Sequence, residues 1–252
     1  MNVDLTGRDP SKWELRKIVY DDNLWNSTDD LRKDFDNGKI KKLPQYDDSK
    51  KQHFSRERPD VKPRDLEKRS SPRSISLDGL RYRVDRDEQY TSWLDWTFYW
   101  AFNIETGVSI HDIRFKGEKI AYSISLEEAI SHYASNTPTA TNAALLDRGI
   151  PIGGKLTPLI RGYDCSEEAT YFSTGYFDED KYKERNNTVC LFETDFSRPT
   201  SRHWGLKDFS STKASILILR SISTVGNYDY MIDYTFYPDG SIETSASASG
   251  YL

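Results

Sequence analysis

Residues 92–125 read SWLDWTFYWAFNIETGVSIHDIRFKGEKIAYSIS. The first eleven of these, 92–102, are rich in aromatic residues. Large planar side chains of this kind fit a pleated, half-buried surface, so the segment reads as a strand. VSIHDIRF alternates, KGEK supplies a turn, and IAYSISL alternates again. That pattern predicts a hairpin with strands near 107–115 and 119–125. Upstream, GLRYRVDR at 79–86 alternates like a strand with one buried face. Downstream, strands are predicted at 169–175, 188–193, 213–222, 228–237 and 241–248, the last two joined by the turn signal Tyr237-Pro-Asp-Gly240. LEEAISHYA, 126–134, predicts one short helix, with Ser125 as N-cap and Glu127 and Glu128 in its first turn. Many strands with a single short helix make the chain all-β, an antiparallel sandwich rather than an alternating βαβ fold.

The charge is unevenly spread. Residues 1–75 hold 33 of the 75 charged side chains in the 252-residue chain. Interleaved charges and three prolines between Lys50 and Arg73 leave too little apolar surface to offset the entropy of ordering. Residues 1–75 therefore read as a charged linker or tail, mostly irregular and partly disordered, and 76–252 as the folded domain. Within the tail, Trp13, Leu15, Ile18, Tyr20, Leu24 and Trp25 could form one short packed element. The net charge of −5 argues against nucleic-acid binding carried by bulk charge. No apolar run approaches the ~20 residues of a membrane-spanning helix. The first twenty residues lack the apolar core of a secretory signal.

Several residues invite a chemical reading. Cys165 and Cys190 have no histidine partners at metal-site spacing, so they form either a disulfide or two buried thiols, and the disulfide is the better reading. A structural disulfide implies an oxidising compartment. Asn26-Ser-Thr and Asn186-Asn-Thr are N-glycosylation sequons and agree with a secreted or extracellular setting. Asp147 follows two leucines and precedes a Gly/Pro-rich turn. It is a turn-initiating aspartate or a carboxylate poised as a general base. Tyr133 reads as a core tyrosine, His111 as a structural strand residue, and Arg161 as a buried ion-pair partner or a loop residue. In SISTVGNYDYMIDYTFY, Gly226 and Asn227 permit a sharp turn, and Tyr228 and Tyr230 share one face of a regular strand.

Thr224-Val-Gly-Asn-Tyr-Asp-Tyr230 resembles the signature of the copper amine oxidases, [S/T]-x-x-N-Y-[D/E]-[Y/N]. IRFKGEKIAYSISLEEAISHYASNTP, LLDRGIPIGGKLTPLIRGYDC, LFETDFSRPTSRHW and YPDGSIETSASASGY are similar to other stretches of the same catalytic domain. The resemblance covers about residues 76–252. It implies that Tyr228 is the precursor of the topaquinone cofactor and that Asn227 helps hold its ring. It further implies that Asp147 is the catalytic base, Tyr133 the tyrosine bonded to the quinone oxygen, and Leu145 the occupant of a gate position that is usually aromatic. Cys165 and Cys190 match the disulfide of the family's secreted, animal-type branch.

The implied activity is primary-amine oxidation. A quinone carbonyl condenses with the amine, and a carboxylate removes the α-proton. Aldehyde is released, and dioxygen reoxidises the cofactor with loss of ammonia and hydrogen peroxide. An aspartate of ordinary pKa, about 3.9, is a weak base, and burial among leucines would raise it. The family's copper is held by histidines downstream of the cofactor tyrosine, and His53, His111, His132 and His203 all precede Tyr228. The chain is therefore expected to be an incomplete piece of the catalytic sandwich, without its copper ligands, from an enzyme that is a homodimer when complete. The competing expectation is a catalytically dead sandwich remnant serving as a binding or scaffold module.

Overall fold

In a computed structural model, residues 2–4, 7–21, 23–41, 65, 69, 71–127, 129–132, 144–146, 150–178 and 180–250 are described. The chain divides into two units, residues 1–70 with 131–144, and residues 71–130 with 145–252.

The first unit corrects the reading of its sequence as a tail. Strands β1 (Asn2–Asp4), β2 (Glu14–Tyr20) and β3 (Asn23–Trp25) form an antiparallel sheet. Helix α1 (Thr28–Asp36) follows. Ser27 caps it by accepting from the Asp30 amide, and Asp29 and Asp30 lie in the first turn, where the helix dipole favours negative charge. The Trp25 indole donates to Asp34 Oδ2 at 3.1 Å and ties strand to helix. That bond, with a second from Lys39, holds the Asp34 carboxyl below the usual carboxylate range. The expected element around Ile18 and Trp25 is thus present, with both side chains buried. Most of the Lys50–Arg73 stretch lies outside the described residues.

In the second unit, β4 (Tyr82–Asp85), β5 (Tyr90–Trp93), β6 (Trp96–Asn103), β7 (Gly107–Phe115) and β8 (Glu118–Ser125) form a five-stranded antiparallel meander in sequence order. The single strand expected over 92–102 is two. Trp93 pairs with Trp96 across a two-residue turn in which Leu94 takes a positive φ of 50°. Short strands β9 (Ile130–His132) and β10 (Ala144–Leu146) pair with one another.

The helix expected over 126–134 is therefore a second correction. Its intended cap, Ser125, ends β8 and donates to the Glu127 side chain instead. Nine residues are too few for a helix to hold without tertiary packing, and strand pairing decides the conformation.

The second sheet contains β11 (Thr170–Asp178), β12 (Lys181–Trp204), β13 (Phe209–Val225), β14 (Tyr228–Phe236) and β15 (Ile242–Gly250), again antiparallel in sequence order. It packs face to face on the first. Trp93, Trp96, Phe98, Trp100, Ile110 and Ile113 meet Phe172, Leu191, Leu217, Leu219, Tyr234 and Phe236 in one core. The opposite face of the second sheet is covered by its own chain. Leu159, Cys165 and Ala169 lie over Tyr171, Cys190, Phe192, Ile216 and Ile218. Cys165 and Cys190 are disulfide-bonded, with Cα atoms 6.6 Å apart.

Candidate active site

Strand β13 runs into β14 through a two-residue turn. Val225 pairs with Tyr228, and Gly226 adopts φ +62° at the first central position, a backbone that disfavours any side chain. Thr224 Oγ1 donates across the hairpin to Asp229 Oδ1 at 2.5 Å. Tyr228 begins β14 and is half-buried, with its ring centroid 6.3 Å from that of Tyr230. Strand alternation puts both tyrosines on the face that carries Ile232, Tyr234 and Phe236 into the core. Asn227, in the turn itself, is exposed.

The segment after Asp147 is fastened to this same end of the sandwich. The Ile152 carbonyl accepts from the buried Ser223 Oγ at 2.8 Å, and Leu156 forms an antiparallel bridge to Ser223. The Thr157 amide donates to the Ile222 carbonyl at 2.9 Å. Ser223 itself pairs with Tyr230. On its other side the segment reaches the β6–β7 turn. Ile152 N donates to the Glu105 carbonyl at 3.2 Å, and Gly154 N to the Ile104 carbonyl at 2.8 Å. Gly153 has no alternative at this contact, since a Cβ there would lie 2.1 Å from the Asn103 carbonyl oxygen. The sequence IPIGG thus docks onto both sheets, immediately downstream of the expected base.

Asp147 and Tyr133 lie outside the described residues. Leu145 is the central residue of β10. His111 shares a 2.8 Å hydrogen bond with Ser109 and is structural, as expected. Arg161 is an exposed loop residue, with no ion pair to another described residue. Its guanidinium donates to the Glu167 carbonyl at 2.6 Å and lies 4.5 Å over the Tyr171 ring. Sequence reasoning overlooked Ser223 and Gly153, whose roles depend on which distant backbone they meet.

The copper amine oxidase enzyme-domain model matches residues 83–252. The chain belongs to the copper amine oxidase family. A domain of unknown function matches residues 1–57. Among curated amine oxidases, a copper amine oxidase of Bipolaris victoriae is 31% identical over 258 residues, covering 100% of this chain and 35% of its own length. The bovine liver primary amine oxidase is 32% identical, covering 99% of this chain and 32% of its own. The human diamine oxidase is 31% identical, with 99% and 35% covered. Among solved structures, the Aspergillus nidulans amine oxidase superposes with a TM-score of 0.79 at 39% identity, covering 99% of this chain and 33% of that one. The Pichia pastoris lysyl oxidase gives 0.81 at 36%, with 99% and 34% covered. The chain spans about a third of the length of the amine oxidases it matches.

The donor set for copper is a separate matter. Among the described residues, no group of three or more His, Cys, Asp and Glu side chains is placed to hold a metal ion. His203 lies exposed on β12, His111 is bonded to Ser109, and both cysteines are bridged. These residues do not fit a copper site.

Proposed function

We propose that this chain is part of the catalytic domain of a copper-dependent primary-amine oxidase, which converts a primary amine, water and dioxygen to aldehyde, ammonia and hydrogen peroxide. The observation that carries the reading is the fold of the TVGNYDY motif. It closes as a tight hairpin with Tyr228 half-buried at its first strand position, on the sandwich end to which the segment following Asp147 is anchored. Ile152 follows Asp147 by five residues, so the chain can carry Asp147 no further than about 18 Å from Ile152. The proposed role requires Asp147 to approach the Tyr228 ring within that limit.

In this reading Tyr228 is the topaquinone precursor, and the oxidised ring supplies an electrophilic carbonyl for the amine nitrogen. Asp147 removes the proton from the carbon bearing that nitrogen. General-base assistance of this kind is typically worth ~10²–10⁴-fold in rate. Asn227 steadies the ring from the turn, Tyr133 donates a hydrogen bond to its oxygen, and Leu145 stands at the gate. The roles of Asp147, Asn227, Tyr133 and Leu145 rest on the sequence resemblance.

The resemblance implies that copper would be held by imidazoles downstream of the cofactor tyrosine. The disulfide supports an oxidising, extracellular setting. The outer ends of β12 and β13 form a hairpin with Trp204, Leu206 and Phe209 exposed at its tip, which supports association with a second copy.

The test uses a copper-loaded amine oxidase that contains this segment. Tyr228→Phe is expected to abolish the redox-cycling quinone stain and peroxide production. Asp147→Asn is expected to keep the stain and lose turnover by at least ~10²-fold. A quinone that survives Tyr228→Phe would overturn the cofactor assignment. A protein whose Tyr228 stays an ordinary tyrosine would support the binding or scaffold reading. Residues 1–252 alone, given Cu(II) in air, are expected to leave Tyr228 unmodified.

A further inference from the structure

We infer that the chain carries two N-glycan acceptors of different kinds: Asn26, open to modification in the folded protein, and Asn186, open only until β12 is buried. Both lie in Asn-x-Thr sequons, and both asparagines are exposed. Their surroundings differ.

Asn26 sits between the buried Trp25 and the helix cap Ser27, whose backbone is extended at φ −144° and ψ 161°. Its side chain makes no hydrogen bond to another described residue. The sequon threonine, Thr28, is exposed on the first turn of α1. The acceptor amide and the hydroxyl that a transferase must read therefore both face solvent.

Asn186 lies in a bulged part of β12. The register with β11 shifts there, and Asn187 takes φ +55° while its carbonyl accepts from the Leu159 amide at 2.8 Å. Asn186 Oδ1 accepts from Ser173 Oγ at 3.1 Å. The sequon threonine, Thr188, is wholly buried, and its hydroxyl shares a 2.9 Å hydrogen bond with Thr174. Two residues on, Cys190 is held in the disulfide to Cys165. Reaching the Thr188 hydroxyl requires β12 to come away from β11. The exposed Asn186 side chain still leaves room for a glycan that was attached before the sheet closed.

The chemistry is glycosyl transfer from a lipid-linked oligosaccharide diphosphate. The bond from the anomeric carbon to the phosphate oxygen breaks, and a bond to the asparagine Nδ2 forms. The amide gives up one proton to the transferase's base, and the lipid diphosphate leaves. No oxidation state changes. Folding and disulfide closure compete with this transfer at Asn186 and not at Asn26.

The protein containing this chain is expressed through a eukaryotic secretory pathway, and site occupancy is read on peptides by mass spectrometry after enzymatic deglycosylation. Asn26→Gln and Asn186→Gln should each remove one glycan. Replacing both Cys165 and Cys190 by Ser should raise occupancy at Asn186 and leave Asn26 unchanged, a readout that does not depend on native folding. In a second arm, folded, unglycosylated protein is treated with purified oligosaccharyltransferase and a lipid-linked donor. Asn26 should be modified and Asn186 should not, until reduction and urea open the chain. Absence of glycan at both sites would overturn the proposal. So would transfer to Asn186 in the folded protein, or an Asn186 occupancy indifferent to the cysteines.

Discussion

The two faces of the second sheet are buried by different means, although the same strands supply both. On β14, Ile232, Tyr234 and Phe236 point into the sandwich, where a whole second sheet of tryptophans and isoleucines meets them. Asp233, one position away, points to the other face, where Arg220 grips it with bonds of 2.7 and 2.6 Å. Arg220 also donates to the Asp164 carbonyl at 2.6 Å, which fastens the covering loop one residue from the disulfide. The sandwich face is held by area. The covered face has a smaller apolar cluster, and a cross-link and the Arg220–Asp233 ion pair add to it. The Tyr228 turn continues the first face and the anchor of the Asp147 segment meets the same sheet end, so rigidity on both faces bears on the proposed site.

The largest expected effect comes from the sandwich face. Phe236 is fully buried, stacked on Phe98 with centroids 4.3 Å apart and edge-on to Trp96 at 5.3 Å. Truncating such a ring removes its transfer free energy and leaves a cavity. Phe236→Ala should cost about 3–5 kcal/mol, read as a lower urea midpoint with little change in slope. A loss under about 1 kcal/mol, the scale of a surface substitution, would show that the two faces are not held as described.

The covered face should respond in a different pattern. Arg220→Met leaves Asp233 buried without its partner, and breaking a buried pair in this way costs about 3 kcal/mol. The double variant Arg220→Met/Asp233→Leu should recover much of that loss, since two apolar side chains of similar volume avoid the desolvation cost. Additive losses in the two single variants and the double would mean that the pair contributes through something other than mutual neutralisation. By contrast, the exposed pair Arg16–Asp4, at 2.8 Å, lies where solvent screens it, and its loss should be far smaller than that of Arg220–Asp233.

Much of the second unit was legible in the sequence because period-two alternation and turn residues coincide there. The strands β7, β8, β14 and β15 lie close to where VSIHDIRF, IAYSISL, YDYMIDYTFY and SIETSASA put them. The break at Leu94 was not legible, because a leucine at positive φ carries no turn signature. Nor was the outer length of β12 and β13, whose residues are mostly polar and exposed and extend the pairing of a hairpin begun in the core. The first unit was misread because charge density masked a conventional helix signal, Ser27 followed by Asp29 and Asp30. Cys165 and Cys190 were legible as a pair, whereas the covering loop they fasten was not. At the candidate site, the motif around Tyr228 was plain in the sequence. The tether from Ser223 to the Ile152 carbonyl spans 71 residues and has no local signature.

Alkaline titration offers the smallest and most discriminating comparison. Tyr234 lies on the sandwich face, and its hydroxyl donates to the Val108 carbonyl at 2.8 Å. Burial pushes its phenol up to about 12. Tyr237, three residues on, is also pushed up to about 12, but chiefly by its hydrogen bond with Glu243 near solvent. A raised phenol stabilises the fold fully below the unfolded value, near pH 10, because both states are then protonated. As pH rises from 10 to about 12, the unfolded chain loses the proton while the folded one keeps it, so stability falls across that window. For Tyr234 the loss should be on the order of 2 kcal/mol. For Tyr237 the same apparent shift should count for little, because water can replace the Glu243 contact and screens the charge. The measurement is the urea midpoint as a function of pH, with Tyr234→Phe and Tyr237→Phe beside the parent. Tyr234→Phe should flatten the alkaline slope, and Tyr237→Phe should leave most of it. If the effects were reversed, the alkaline sensitivity would belong to the surface hydrogen bond, and burial in the sandwich would not be what separates the two faces.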